Sequence, residues 1–258
     1  MDVVIFCGGR GTRLSEKTKE TPKPLVEVGD YPILWHIMKL FSHYGHDRFM
    51  LTLGYKGDLI KQWFLNYRFN GSFEFNLKEP VLPDHPEAWK ILFKNTGMDS
   101  GTGGRLKQVK DDIKSERFIV TYGDGVADVD IDSLIAHHKK MVAEKGVLVT
   151  VSAFRPNSSY GVIKHDGAGI VTSFGEKCQV NDMINIGFMV CERGVFEHIP
   201  DNLACMFEKE VLSKLTDQGK VAIYEHQGVF HSMDTYKDYT DLNALWNSGD
   251  AKWKAWKD

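Results

Sequence analysis

Cysteine is scarce in this sequence and shows no pattern. Its four residues, Cys7, Cys178, Cys191 and Cys205, form no CxxC pair, and their spacing fits no zinc motif. Scattered thiols in a chain of this size suit a reducing compartment. An excess of one charge is lacking too. The formal net charge is −3, which leaves no basic footprint for bulk nucleic-acid binding. No apolar run approaches the roughly 20 residues of a membrane span. The opening "MDVVIFCGG" lacks the basic flank and the length of a signal peptide. These absences predict a cytoplasmic protein with no nucleic-acid and no membrane partner. Internal repeats, low-complexity segments, metal-ligand histidine spacing and a nucleophile elbow are absent as well.

What is present suffices for a sizeable core. The chain has 258 residues, 42% of them hydrophobic, the size of one generous α/β domain. Residues 3–7 read as a strand buried on both faces. A glycine turn follows, and then "TKETPKPLVEVGDYP", whose prolines predict no regular helix directly after the turn. "PILWHIMKLFSHYG" predicts a helix with Pro32 at its start and Gly45 at its end. "RFMLTLGY" predicts a strand, and "GDLIKQWFLNYRFNG" a helix capped by Asp58. "SFEFNLKE" predicts a half-exposed strand, "EPVLPDHPEAW" a loop and "WKILFKNT" a strand. "MDSGTGG" predicts a flexible loop before a short helix over "RLKQVKDDIK".

The second half opens with "RFIVTYGDG", a buried strand ending in a turn that bears a carboxylate. "IDSLIAHHKKMVAEKG" predicts a helix with "HHKK", residues 137–140, on its polar face. "VLVTVSAF" predicts a strand, and "GVIKHD" with "IVTSFGE" a hairpin. "MINIGFMVC" predicts one strand, "MFEKEVLSKLTDQG" a helix, "VAIYEHQG" a strand and "YKDYTDLNALWNSG" a terminal helix. The tail "AKWKAWKD" is expected to be peripheral. Strands alternating with helices predict a mostly parallel, doubly wound sheet that becomes mixed in its second half.

The first glycine turn, "CGGRGTRL", sits where ligands bind in open parallel sheets, beyond a strand's carboxyl end. Glycines there let backbone N–H groups approach phosphate oxygens, and Arg13 adds a planar fork suited to phosphate. A tight turn needing glycine for its angles fits Gly8, Gly9 and Gly11 equally well. The loop is no P-loop, because Gly-Lys-Ser/Thr is missing. It is no dinucleotide fingerprint either, because Leu14 stands where the third glycine belongs. In "TPKPL", Pro22 and Pro24 frame Lys23, which suits a fixed cation better than a solvated one. Asp124, between Gly123 and Gly125, is read as a turn residue or as a Mg²⁺ ligand. Asp234 in "FHSMDT" is read as a helix cap or as a second ligand. Glu176 and Lys177 in "FGEKC" are a solvated pair or a sugar-phosphate contact. Asn185 and Gly187 in "INIG" are ordinary strand residues or hydroxyl partners.

Taken in order, "GGRGTRL", "PKPLVEVGDYPILWHIM", "YGDG", "EK", "INIG" and "MDT" resemble the sugar-1-phosphate nucleotidyltransferases, from residue 2 to near the C-terminus. "TGGRLKQV", "YGDGVADVDI" and "WKAW" look like the cytidylyl branch of that family. The resemblance implies an α/β fold with a Rossmann-like mixed sheet flanked by helices. It implies Mg²⁺-dependent transfer of CMP from CTP to α-D-glucose 1-phosphate, with release of pyrophosphate.

Residue by residue, the resemblance implies that Gly8, Gly9, Gly11, Thr12, Arg13, Lys23 and Gly123 hold the nucleotide and its phosphates. Thr102, Gly103, Gly104 and Arg105 would surround the base. Asp124 and Asp234 would hold the metal. Glu176, Lys177, Asn185 and Gly187 would meet the sugar phosphate. Arg13, Lys23 and Lys177 would carry the catalytic charges. The expected layout is one domain over 1–258, with a nucleotide half over about 1–128, a sugar half over about 129–240 and a C-terminal helix and tail. The expected assembly is a homo-oligomer. Cys7 departs from the family's usual alanine, and Cys178 from the proline of "EKP". A transferase using UTP, dTTP or GTP, and a sensor without catalysis, share many of these features.

Overall fold

The computed structural model describes residues 1–11, 14, 18, 20–68, 85, 87–158, 160–176, 178–180 and 182–257. The strands expected over 72–79, and most of the loop that follows, lie outside the described residues. β1 (Asp2–Cys7) is buried along its whole length. It pairs in parallel with β2 (Arg48–Leu53), which pairs in parallel with β3 (Lys90–Asn95). On its other edge β1 pairs in parallel with β4 (Arg117–Tyr122). A short β5 (Gly125–Ala127) follows, then β6 (Val149–Phe154) and the hairpin of β7 (Val162–His165) with β8 (Val171–Gly175). β9 (Ile184–Asn185) and β10 (Met189–Glu192) both run antiparallel to β6, and β10 also runs antiparallel to β4. β11 (Val221–Glu225) adds in parallel on the other side of β6, and β12 (Phe230–Ser232) pairs with β5. The sheet is mixed and mostly parallel, as the alternation of elements predicts.

Among the described residues, six α-helices flank these strands: α1 (Ile33–His43), α2 (Gly57–Arg68), α3 (Thr102–Gln108), α4 (Ile131–Lys145), α5 (Ser213–Asp217) and α6 (Tyr236–Ser248). α1 starts after Pro32 and ends before Gly45, whose φ of 76° suits glycine. No helix is long and apolar enough to cross a membrane among the described residues.

β1 alternates strictly. Val3, Ile5 and Cys7 face one core cluster, and Val4 and Phe6 face the other. Because β4 and β2 lie on opposite sides of β1, successive connections leave it in opposite directions. A crevice opens at the carboxyl ends of β1 and β4, the usual ligand position in such sheets.

Several elements differ from expectation for identifiable reasons. Asp58 lies inside the first turn of α2, paired with Lys61, rather than capping it. Thr18 is helical, its hydroxyl donating to Leu14 O at 2.8 Å, while most of the stretch directly after the glycine turn lies outside the described residues. α3 begins at Thr102, inside the expected loop. Gly103 and Gly104 are helical, and close packing explains the glycines there: a Cβ on either would meet the 203–205 backbone or the Cys205 thiol within 3 Å. The expected strand over 183–191 breaks at Gly187 and Phe188, which have φ of 78° and 48°. The helix expected over 206–219 opens with a wide π-helical turn, Phe207–Leu212, before α5.

"HHKK" is not a purely polar face. His138 is fully buried, with Nδ1 2.8 Å from Thr150 Oγ1 and Nε2 3.1 Å from Glu192 Oε1. The tail is not peripheral either. Trp253 is 1% exposed, and Trp246, Trp253 and Trp256 pack their rings around His36.

His36 is neutral in that cage. Nε2 donates to Val28 O at 2.9 Å, and Nδ1 accepts from Trp253 Nε1 at 3.5 Å. Burial pushes its pKa down to about 4, against about 6.5 in an unfolded chain. A histidine whose folded pKa is depressed loses stability as pH falls below the unfolded value, because the unfolded chain then binds the extra proton. The melting temperature should fall steadily between pH 6.5 and 4. His36→Gln should flatten that slope, and an unchanged slope in thermal melts would overturn the assignment.

Candidate functional site

The crevice at the ends of β1 and β4 is a cleft of about 350 Å³, within the range of small-molecule sites. Gly8, Gly9 and Gly11 line one wall, Pro24 and Lys23 the floor, and Gly123, Asp124 and Asp234 the opposite side.

Three distant segments meet at one ammonium. Lys23 Nζ lies 2.7 Å from Asp124 Oδ2 and 2.7 Å from Asp234 Oδ1. Leu25 N donates to Pro22 O at 2.8 Å, closing a single 3₁₀ turn that holds Lys23 between its prolines. The stem of Lys23 packs under Gly11, whose φ is 61° and whose added Cβ would lie 3.3 Å from Lys23 Cβ. Burial alone would lower the lysine's pKa. The charge and hydrogen bonds of Asp124 and Asp234 outweigh it and hold the pKa above its ordinary value.

The two aspartates are set side by side by backbone pairing. β5 and β12 form a ladder that places Ser232 opposite Gly125, and Met233 N donates to Asp124 O at 2.8 Å. Asp234 is not the helix cap. Thr235 caps α6, with Asp238 completing a capping box. Two carboxylates sharing one ammonium would suit a small divalent cation, since Mg²⁺ takes one or two carboxylates and completes its shell with phosphate and water. No group of three or more His, Cys, Asp or Glu side chains suited to a metal occurs among the described residues.

Arg105 does not stand free beside a base. The residue is 4% exposed, and its terminal guanidinium nitrogens donate to the protein. Nη1 donates to Thr96 Oγ1 at 2.6 Å and Leu53 O at 3.1 Å, and Nη2 to Gly8 O at 3.2 Å and Met98 O at 3.4 Å. The side chain thus ties the ends of β1, β2 and β3 to α3. This explains Gly8, where a Cβ would fall 2.1 Å from Arg105 Nη1. Arg105 and Thr102 line the cleft, whereas Gly103 and Gly104 do not and instead pack on the 203–205 backbone.

Asn185 and Gly187 sit beside the cleft rather than in it. Gly187 packs on the Tyr122 ring, and Asn185 Nδ2 is 3.5 Å from Tyr122 Oη. Glu176 is exposed at the end of β8 and does not line the cleft. Thr12, Arg13 and Lys177 lie outside the described residues.

Three participants were not visible in the sequence as functional residues. Tyr122, at the end of β4, lines the cleft, and burial together with neighbouring Glu208 pushes its hydroxyl pKa up. Glu208, on the π-helical turn, accepts from Thr102 Oγ1 at 2.6 Å and Tyr122 Oη at 2.7 Å. Arg10, in the glycine loop, pairs with Asp99 at 3.1 Å across the cleft mouth. Tyr122 carried a signal in its place two residues before Asp124. Glu208 carried none, because a pairing across 86 residues leaves no local trace.

A family model described as "Nucleotidyl transferase" matches residues 2–258 of the chain. The glucose-1-phosphate cytidylyltransferases of Salmonella typhi and Salmonella typhimurium are each 43% identical to it, over 100% of both chains. Among solved structures, HddC from Yersinia pseudotuberculosis complexed with GMP-PN aligns with TM-score 0.69 at 25% identity. That match covers 95% of this chain and 99% of the other.

The geometry of Arg105 makes it a stability residue as much as a site residue. Arg105→Met removes the donors of several buried acceptors, at about 1–3 kcal/mol for a buried group left unpaired. It should lower unfolding free energy by about 2–3 kcal/mol, read by urea denaturation. A loss under about 0.5 kcal/mol would show that the guanidinium does not hold the loop.

Proposed function

Because this chain belongs to the nucleotidyl transferase family, we propose that it transfers CMP from CTP to α-D-glucose 1-phosphate, giving CDP-glucose and pyrophosphate. The observation that carries the reading is the cation held between Asp124 and Asp234 beside a glycine loop at the end of β1. Full-length likeness to two glucose-1-phosphate cytidylyltransferases supports the choice of CTP and glucose 1-phosphate.

A phosphate oxygen of the sugar phosphate forms a new bond to the α-phosphorus of CTP. The bond from that phosphorus to the bridging oxygen breaks, and the electron pair leaves with pyrophosphate. The nucleophile is already an anion, so no general base is needed. What the protein supplies is positioning and charge balance. Gly8, Gly9 and Gly11 leave room for phosphate oxygens against the backbone. Lys23 and Lys177 would offset the repulsion between two anionic substrates, and Arg13 would stabilise the leaving pyrophosphate. Asp124 and Asp234 would hold Mg²⁺, which when bound supplies charge neutralisation on phosphate oxygens. Thr102 borders the nucleotide, while Glu176, Asn185 and Gly187 border the sugar. In this reading residues up to about 128 carry the nucleotide half, and those beyond carry the sugar half. The same proposal includes a homo-oligomer, tested by light scattering on the eluted protein.

The first test is pyrophosphate release from glucose 1-phosphate with CTP, UTP, dTTP, GTP and ATP in turn. CTP should be preferred. Preference for another nucleotide would overturn the cytidylyl reading, and nucleotide binding with no release would favour a sensor. Lys23→Met should lower kcat/KM by about 10²–10³-fold, in line with the loss of one preorganised charge. Asp124→Asn should abolish the rise in melting temperature that Mg²⁺ gives the wild type; a rise that persists would remove Asp124 from the metal site.

A further inference from the structure

A chain of hydrogen bonds runs beside the cleft through Tyr122 and Thr102, and every donor in it points toward one carboxylate. Gly187 N donates to Asn185 Oδ1 at 2.9 Å, which turns the amide so that Nδ2 faces Tyr122 Oη at 3.5 Å. Tyr122 Oη donates to Glu208 Oε1 at 2.7 Å. From the other side, Phe207 N donates to Thr102 Oγ1 at 2.9 Å, and Thr102 Oγ1 donates to Glu208 Oε2 at 2.6 Å. Both branches end on one carboxylate, which accepts only. Bonds of 2.6–2.7 Å to a carboxylate belong to the strong, charge-assisted class.

The consequence is chemical. The Tyr122 proton is committed to Glu208, so toward the cleft its oxygen can only accept. That suits a donor such as Asn185 Nδ2 or a sugar hydroxyl, and disfavours an acceptor. Thr102 sits at the start of α3, on the nucleotide side. Asn185 sits at the end of β9, on the other side. Glu208 reaches both because it stands on the π-helical turn Phe207–Leu212, a form often found at functional sites.

We propose that Glu208 is a positioning residue for this reaction, fixing Tyr122 as an acceptor toward Asn185 Nδ2 and the sugar phosphate while tying it to the nucleotide-side Thr102. The inference rests on the transferase reading given above. An amide at position 208 offers one acceptor and one donor group, so at least one of the two hydroxyls would have to reverse. In Glu208→Gln the sugar-phosphate side loses its fixed pattern, while the glycine loop and Lys23 stay in place.

The test is steady-state kinetics of pyrophosphate release for the wild type, Glu208→Gln, Tyr122→Phe and the double variant, varying glucose 1-phosphate and CTP separately. Glu208→Gln should raise KM for glucose 1-phosphate about tenfold, with KM for CTP changed less than threefold. Tyr122→Phe, which keeps the ring, should show the same split. The double variant should be no worse than the worse single, because both changes break one chain. Equal changes in both KM values, additive effects, or a fall in melting temperature with normal kinetics would overturn the proposal. A wild type silent with every nucleotide would remove the transferase reading and this inference together. An active wild type with an unaffected Glu208→Gln, or a Glu208→Gln that fails to fold beside a kinetically normal Tyr122→Phe, would remove this inference alone.

Discussion

One buried ammonium organises the site. Lys23 is 101 residues from Asp124 and 211 from Asp234, yet reaches both within 2.7 Å. Withdrawing a lysine from water is costly, and an ion pair in a partly dry site often only breaks even against apolar packing. Two carboxylates drawn together without a cation would be worse still. The arrangement therefore persists only if the backbone forces it. The 3₁₀ turn between Pro22 and Pro24 holds the lysine, and the β5–β12 ladder holds the aspartates. A structure optimised for stability alone would not gather two anions there. A structure that handles phosphates would.

The second constraint acts from beneath the glycine loop. Arg105 fills the space that a Cβ on Gly8 would need, and it donates to carbonyls at the ends of β1 and β2 and to Thr96 just beyond β3. Strand ends carry unpaired carbonyls, and a buried one without a donor is expensive. A single planar fork answers several of them at once, which a lysine could not do. The glycines of the loop thus have two reasons to be glycine. Gly11 needs its positive φ, and Gly8 needs the absence of a side chain. The tight-turn explanation fits Gly11, and the guanidinium beneath the loop accounts for Gly8.

Much of the frame was legible because its signals are local. The unbroken apolar run before Cys7 marks a strand buried on both faces, and Pro32 with Gly45 brackets α1. Asp124 was visible because glycines flank it directly after a buried strand. What was not legible depends on distant partners. The tail's tryptophans look polar-aromatic in isolation, but Trp253 is buried against His36, 217 residues away. His138 looks like a polar helix face until β6 and β10 bring Thr150 and Glu192 to it. Gly103 and Gly104 look like loop residues until the 203–205 backbone leaves no room for side chains. Arg105 lines the cleft, but its inward attachment depends on α3 starting earlier than its glycines suggest.

Both features of the site converge on the end of β4. Tyr122 and Asp124 are two residues apart, with Gly123 between them held by its N–H donating to Phe6 O at 3.1 Å. That bond ties the end of β4 to β1, an interior strand buried along its whole length. The aspartate pair and the hydrogen-bond chain to Glu208 are therefore mounted on the same rigid edge, and a shift of either would move the other. Where rate rests on holding two anionic groups in line, a shared rigid mount matters more than any single contact. It also explains why Glu208 comes from a π-helical turn. A regular helix start would advance by 3.6 residues per turn, whereas the wider turn brings the carboxylate to two hydroxyls that belong to different elements. The irregularity at Phe207–Leu212 and the break at Gly187–Phe188 then share a cause: each gives up regular pairing to aim one polar side chain at Tyr122.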